Sequence, residues 1–286
     1  MAIHPPAIRA WPPGVMAGCA DRRHVPLMVE SSVTDRPVPL AQPERRRPGH
    51  RGRIGIIQPA PGVMLEYEWP AHLPDEVLFP MARIRMTGAT AADYDRIAGQ
   101  APDYAQDLAS AGADVIGYAC SVGSLHAGVE AERRLVADLA RASRKPVVSI
   151  ADSSMRALAR LTARRIAILT PYGEETNALV ASYAGEAGFQ VAALWPTPVG
   201  IVTVGDLSAA EIAGIAIDAL RRTKDAEALW IPCTAIRTLD AIDAIEQATG
   251  RPVVSGSQSL LWGALRAIGI DDRLPRAGRL LSLSIS

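Results

Sequence analysis

Three segments of this chain recur in the same order at a nearly constant offset, and a duplication of that kind constrains the fold before any single motif is weighed. Residues 53–59 (RIGIIQP) return at 165–171 (RIAILTP), which sets Pro59 opposite Pro171 at an offset of 112. Residues 114–121 (DVIGYACS) return at 228–234 (ALWIPCT), which sets Cys120 opposite Cys233 at 113. Residues 146–149 and 252–255 both read PVVS, at 106, and each leads into an Ala- and Leu-rich stretch. One such match arises easily by chance; three in one order do not. The folded part is therefore expected to be two similar lobes.

Short apolar runs ending in Gly, Pro, Ser or Thr alternate with stretches of helical period, the pattern of βα units on a parallel sheet. Strands are expected at 53–59, 114–121, 146–150, 165–171, 228–234 and 252–256. Helices are expected at 91–110, 128–142, 152–161, 173–187, 208–222, 236–248 and 257–267. The fold class is α/β: two pseudo-symmetric Rossmann-like (flavodoxin-like) α/β/α lobes with parallel sheets and a site in the cleft between them. The first lobe is assigned 53–150 plus 257–286, the second 151–256. Residues 1–52 break the pattern, holding nine of the 22 prolines and eight arginines against four acids. With no sustained alternation this segment cannot bury enough apolar surface to offset its ordering entropy, and it reads as a disordered extension. Prolines and charges interrupt every stretch that could serve as the apolar part of a secretory signal.

Thirty Lys plus Arg balance thirty Asp plus Glu, which argues against a dominant basic face, so nucleic acid is not an expected partner. No uncharged apolar run reaches the 18 or so residues of a membrane span, so neither is a membrane. Three cysteines form neither a disulfide framework nor a zinc knuckle, and free thiols in a reducing cytoplasm are expected. The five histidines have no metal-binding spacing, and no phosphate-loop or dinucleotide fingerprint is present. Metal: none; cofactor: none. Net neutrality is compatible with a homo-oligomer and fixes no number of chains.

In parallel sheets the ligand sits beyond the carboxyl ends of the strands. Cys120 and Cys233 both stand there, each followed by a hydroxyl residue, Ser121 or Thr234, and each before an expected helix. Helix-start N–H groups stabilise anions, so these positions are expected to favour a thiolate and to hold a substrate carboxylate. A free cysteine is more often a small buried hydrophobe; the symmetric pair is what shifts the reading toward chemistry, whereas Cys19 lies in the extension and carries none. Tyr172 and Asn177 in TPYGEETN offer a phenol and an amide to a carboxylate, or serve as turn and helix surface. Gly62 in QPAPG permits close backbone approach, or simply a tight turn. Ser124 caps the helix after Cys120 or donates to a ligand.

The duplication, YACSVGSL around Cys120, TPYGEETN around Tyr172, IPCTAIRT around Cys233 and PVVSGSQSLLWGALR near the end together resemble the aspartate/glutamate racemase superfamily, within it the maleate cis-trans isomerase and arylmalonate decarboxylase branch. The likeness covers about residues 53–282. It implies a cofactor-independent enzyme acting on a small carboxylate between pseudo-symmetric lobes, with Cys120 as nucleophile, Cys233 as its counterpart and Tyr172 on a carboxylate. Arylmalonate decarboxylases carry glycine in place of the first cysteine, so two thiols favour isomerisation or racemisation over decarboxylation. Maleate isomerases place asparagine where Gly62 stands, and another expected near Val202 and Thr203 is missing. Isomerisation of an enedioate, two-thiol proton transfer in a racemase, an arylmalonate-type decarboxylation, and a non-catalytic carboxylate-binding protein are the readings carried forward.

Overall fold

The apolar runs are strands buried on both faces, because helices cover both sides of each parallel sheet and the backbone polar groups pair within the ladder. The computed structural model describes residues 48–283. The expected extension lies outside the described residues as far as residue 47, as does Cys19, and residues 48–51 form a turn and bend leading into the first strand. In chain order the first half runs β1 (Gly52–Pro59), α1 (Met64–Glu68) with a 3₁₀ turn (Trp69–Ala71), β2 (Val77–Leu78), β3 (Met81–Ile84) and α2 (Ala91–Ser110). It continues through β4 (Val115–Tyr118), α3 (Ser121–Leu125), α4 (Val129–Ser143), β5 (Val147–Ser149) and α5 (Ile150–Arg160). The second follows as β6 (Arg165–Thr170), α6 (Glu174–Glu186), β7 (Gln190–Pro196), α7 (Ala209–Arg222), β8 (Ala228–Ile231), α8 (Leu239–Thr249), β9 (Val253–Ser255), α9 (Gly256–Ala267) and α10 (Gly278–Ser282).

The two sheets share one topology. In the first, β1 pairs with β4 on one side and with β2 and then β3 on the other, and β4 pairs with β5, all parallel. In the second, β6 lies between β7 and β8, and β8 pairs with β9. The duplication holds in register: Ile56 faces Gly117, which faces Val148, while their counterparts Ile168, Trp230 and Val254 face one another in the same way. The edge strands β2, β3 and β7 were not expected from the sequence.

Each lobe's last strand passes directly into a helix. Ser149 and Ser255 end their strands and cap the helices that follow, accepting hydrogen bonds from the N–H groups of Asp152 and Gln258. No loop remains in which the chain could fold back over its own sheet. Thus α5 lies against β8 and β9, α9 lies against β4 and β5, and the two helices pack on each other. Ser154 Oγ and Ser259 Oγ meet at 2.9 Å across this contact. One apolar core runs from Ile54 and Ile56 through Leu158 and Leu261 to Ile168 and Trp230, so the lobes share an interior. α10 lies against α8, α9 and β9. Among the described residues no helix is long and apolar enough to cross a membrane.

Candidate active site

Successive crossovers leave β1 in one direction and then the other, so a crevice opens at the carboxyl ends of β1 and β4, and equally at those of β6 and β8. The ends of these four strands and the chain leaving them supply Gln58, Pro59, Pro61, Gly62, Cys120, Tyr172 and Cys233. All reach one cavity of about 140 Å³, well below the roughly 300–1,000 Å³ of drug-sized ligand sites. It admits only a small molecule. Pro59, Pro61, Met86 and Ile201 form its apolar side; Gln58, Tyr94, Ser121 and Thr234 add polar groups. No lysine, arginine or histidine is among its described lining residues.

Both thiols are 3% exposed. Burial pushes Cys120 up to about 11, outweighing the Gly123 N–H and the Tyr118 hydroxyl, which favour its thiolate. Burial also raises Cys233, against the Tyr172 hydroxyl and the N–H groups of Ala235 and Ile236; the Ala235 N–H lies 3.4 Å from Cys233 Sγ. The expectation that these positions favour a thiolate is therefore corrected: desolvation wins, and both thiols are neutral at neutral pH. A second correction concerns the element after Cys233. Helix α8 begins only at Leu239, and the N–H groups near the sulfur belong to a turn. Cys120 does cap a helix, the short α3.

Of the residues singled out in the sequence, Cys120, Cys233, Tyr172, Ser121, Thr234 and Gly62 all line the cavity. The Tyr172 hydroxyl reaches Cys233 and Ser121, and burial lifts its pKa well above the ordinary phenol value. Ser121 Oγ donates to the Pro232 carbonyl at 2.7 Å, a bond from one lobe to the other. Asn177 is not brought to the cavity. Its Oδ1 accepts from Thr170 Oγ1 at 2.5 Å and its Nδ2 donates to the Tyr172 carbonyl at 3.0 Å, so it holds the loop that presents Tyr172. Ser124 likewise turns inward, donating to the Cys120 carbonyl at 2.7 Å.

Five further residues escaped the sequence reading: Gln58, Met86, Tyr94, Tyr118 and Ile201. Tyr118 stands two positions before Cys120, and the strand period that puts both on one face was the available signal. A Cβ on Gly123 would lie 2.6 Å from Cys120 Sγ and 3.0 Å from the Tyr118 hydroxyl, so the absent side chain is what lets these two groups sit there. Tyr94 arrives from the first turn of α2; burial pushes it to about 12, and both thiols bear on it. Nothing local marks it. Among the described residues no cluster of three metal-ligating side chains occurs.

Fold and site thus define a pseudo-symmetric α/β protein with a thiol from each half at one small cleft. Residues 54–281 match the arylmalonate decarboxylase family, and the chain belongs to it. A maleate isomerase of Pseudomonas putida is 29% identical over 243 residues, spanning 80% of this chain and 97% of that protein. The crystal structure of a Pseudomonas putida maleate isomerase with maleate superposes with a TM-score of 0.75 at 28% identity, covering 81% and 97% of the two chains. A cysteine-to-serine mutant of the Nocardia farcinica maleate cis-trans isomerase, with a covalently bound succinylcysteine intermediate, gives 0.73 at 26% identity over 81% and 98%.

Proposed function

We propose that this protein is a cofactor-independent cis-trans isomerase of a small cis-enedioate, with maleate as the reference substrate. The observation that carries the reading is the convergence of Cys120 and Cys233, from matching strand ends of the two halves, on one small cavity with Tyr172. The succinylcysteine in the Nocardia relative supports covalent addition by a thiol. Cys120, as thiolate, adds to one carbon of the C=C, and Cys233 gives its proton to the other. The central bond is then single and rotates. Cys233 thiolate takes back a proton from the carbon it served, the C–S bond breaks, and the trans acid leaves with Cys120 again a thiolate. Sulfur suits both directions, being a good nucleophile and a good leaving group. Tyr172, Thr234 and the turn N–H groups stabilise the charge that develops on the neighbouring carboxylate in this reading.

Proton NMR of the enzyme with maleate should show fumarate growing as maleate disappears, and Cys120→Ala should abolish it. Full activity in that variant overturns the assignment. The matched thiols also suit a racemase, which would place solvent deuterium at Cα of an amino or hydroxy acid with no change in maleate.

A further inference from the structure

The geometry points to Gln58 as a second substrate anchor, one that selects a carboxamide rather than a second carboxylate at the end of the substrate it holds. The inference rests on the cavity being the isomerase's substrate site. Gln58, the penultimate residue of strand β1, is 1% exposed and lines the cavity, and neither its Nε2 nor its Oε1 has a hydrogen-bond partner among the described residues. A buried amide left unpaired has surrendered its water without replacement, and native structures rarely keep such a group idle. The protein also makes room for it: a Cβ on Gly62 would collide with this amide, so the glycine of the QPAPG loop is what allows the amide its place.

A primary amide carries donors on one atom and an acceptor on the other. Facing a carboxylate, Nε2 is satisfied while Oε1 meets another acceptor and stays unpaired. Facing a carboxamide, both atoms are used in a reciprocal pair of N–H···O bonds. The cavity's described lining contains no lysine, arginine or histidine, so a second carboxylate at this end would be desolvated without a countercharge. A protonated carboxyl would match the amide too, but at neutral pH the ionised form of a carboxyl predominates even beside a second carboxylate. One carboxylate at Tyr172 and one neutral carboxamide at Gln58 describe the half-amide of a cis-enedioate.

Binding of succinamate and of succinate, saturated analogues that cannot be isomerised, is measured by ligand-observed NMR on the full chain, alongside turnover of maleamate and maleate. The wild type should bind succinamate about tenfold more tightly than succinate, the size of one well-made hydrogen bond to a group otherwise unsatisfied. Gln58→Met should bind the two alike. Gly62→Ala, whose added carbon displaces the amide, should lose the same preference and keeps the answer available if the first variant folds poorly. Equal or reversed affinities in the wild type, no binding of succinamate, or a preference that survives both substitutions overturns the assignment. Because these analogues do not react, a succinamate preference without turnover of either maleate or maleamate would sink the isomerase reading and leave Gln58 standing.

Discussion

Desolvation governs the two sulfurs. A thiol that burial lifts to about 11 is protonated throughout the neutral range, and a second raised thiol beside it opposes ionisation of the pair further. A raised acid loses its proton only on the alkaline side, so the fraction of enzyme able to start thiolate addition grows as pH rises. With maleate well below saturation, kcat/KM should climb roughly tenfold per pH unit between pH 7 and 9. A rate already flat from pH 7 would mean that bound substrate or another group generates the thiolate. The residues of this site divide by how far their signal travels along the chain. Cys120, Cys233 and Tyr172 were legible because the duplication marks strand ends. Gln58 reads in sequence as the polar close of an apolar run, and only its burial without partners makes it conspicuous. Tyr94, Met86 and Ile201 come from elements that carry no mark of their destination, and tertiary packing alone assembles them.

At the scale of elements, legibility follows burial. Central strands such as β4 and β8 are buried at every position, and their uninterrupted apolar runs announce them. The edge strand β7 is half-exposed along its length, and β2 and β3 are short pieces separated by Phe79 and Pro80, so no run or alternation of useful length develops. The sequence places the start of α8 at 236, directly after the Cys233 strand end, whereas a turn intervenes and the helix begins at Leu239. The PVVS junctions are the elements on which the lobe exchange depends. Ser255 Oγ accepts from the Gln258 N–H at 3.1 Å and from Thr238 Oγ1 at 2.9 Å; Ser149 Oγ accepts from the Asp152 N–H at 3.1 Å and donates to the buried Glu132 carboxylate. Ser149→Ala and Ser255→Ala should each cost about 1–2 kcal/mol, a lost cap plus a buried partner left short of one bond. Urea unfolding should show the midpoint falling with a single transition kept, since α5 and α9 each belong to the other lobe's sheet. A split transition would mean that the lobes unfold separately.

For the molecule as a unit, the geometry of the two-thiol cavity is a property of the seam. One thiol comes from each lobe, so their separation is only as well defined as the contact between lobes. That contact has several independent parts: the exchanged helices, the shared core, the Ser121 bond to Pro232, and a strap formed by α1 and its 3₁₀ turn. In the strap, Glu68 accepts from the N–H groups of Thr238 and Leu239 where α8 begins, the latter at 2.7 Å, and Trp69 Nε1 lies 3.3 Å from the Ser257 carbonyl. Burial pushes the Glu68 carboxyl up to about 7 despite these donors. The folded state therefore holds this proton more tightly than the unfolded chain does. Below the ordinary value of 4.5 the group has no effect on stability; from there to about 7 stability falls as pH rises, and above it the full penalty remains. A shift of this size corresponds to something on the order of 3 kcal/mol. Glu68→Gln keeps an oxygen for the two N–H groups and removes the titration. Between pH 5 and pH 8 the difference in urea-measured stability should move in the variant's favour by about 2–3 kcal/mol. Glu132 and Glu246, also raised by burial, titrate in both proteins and cancel from that difference. A gap between the two proteins that stays constant with pH would mean that Glu68 ionises in the fold as it does in the open chain, and that the strap, rather than its charge, is all this residue contributes.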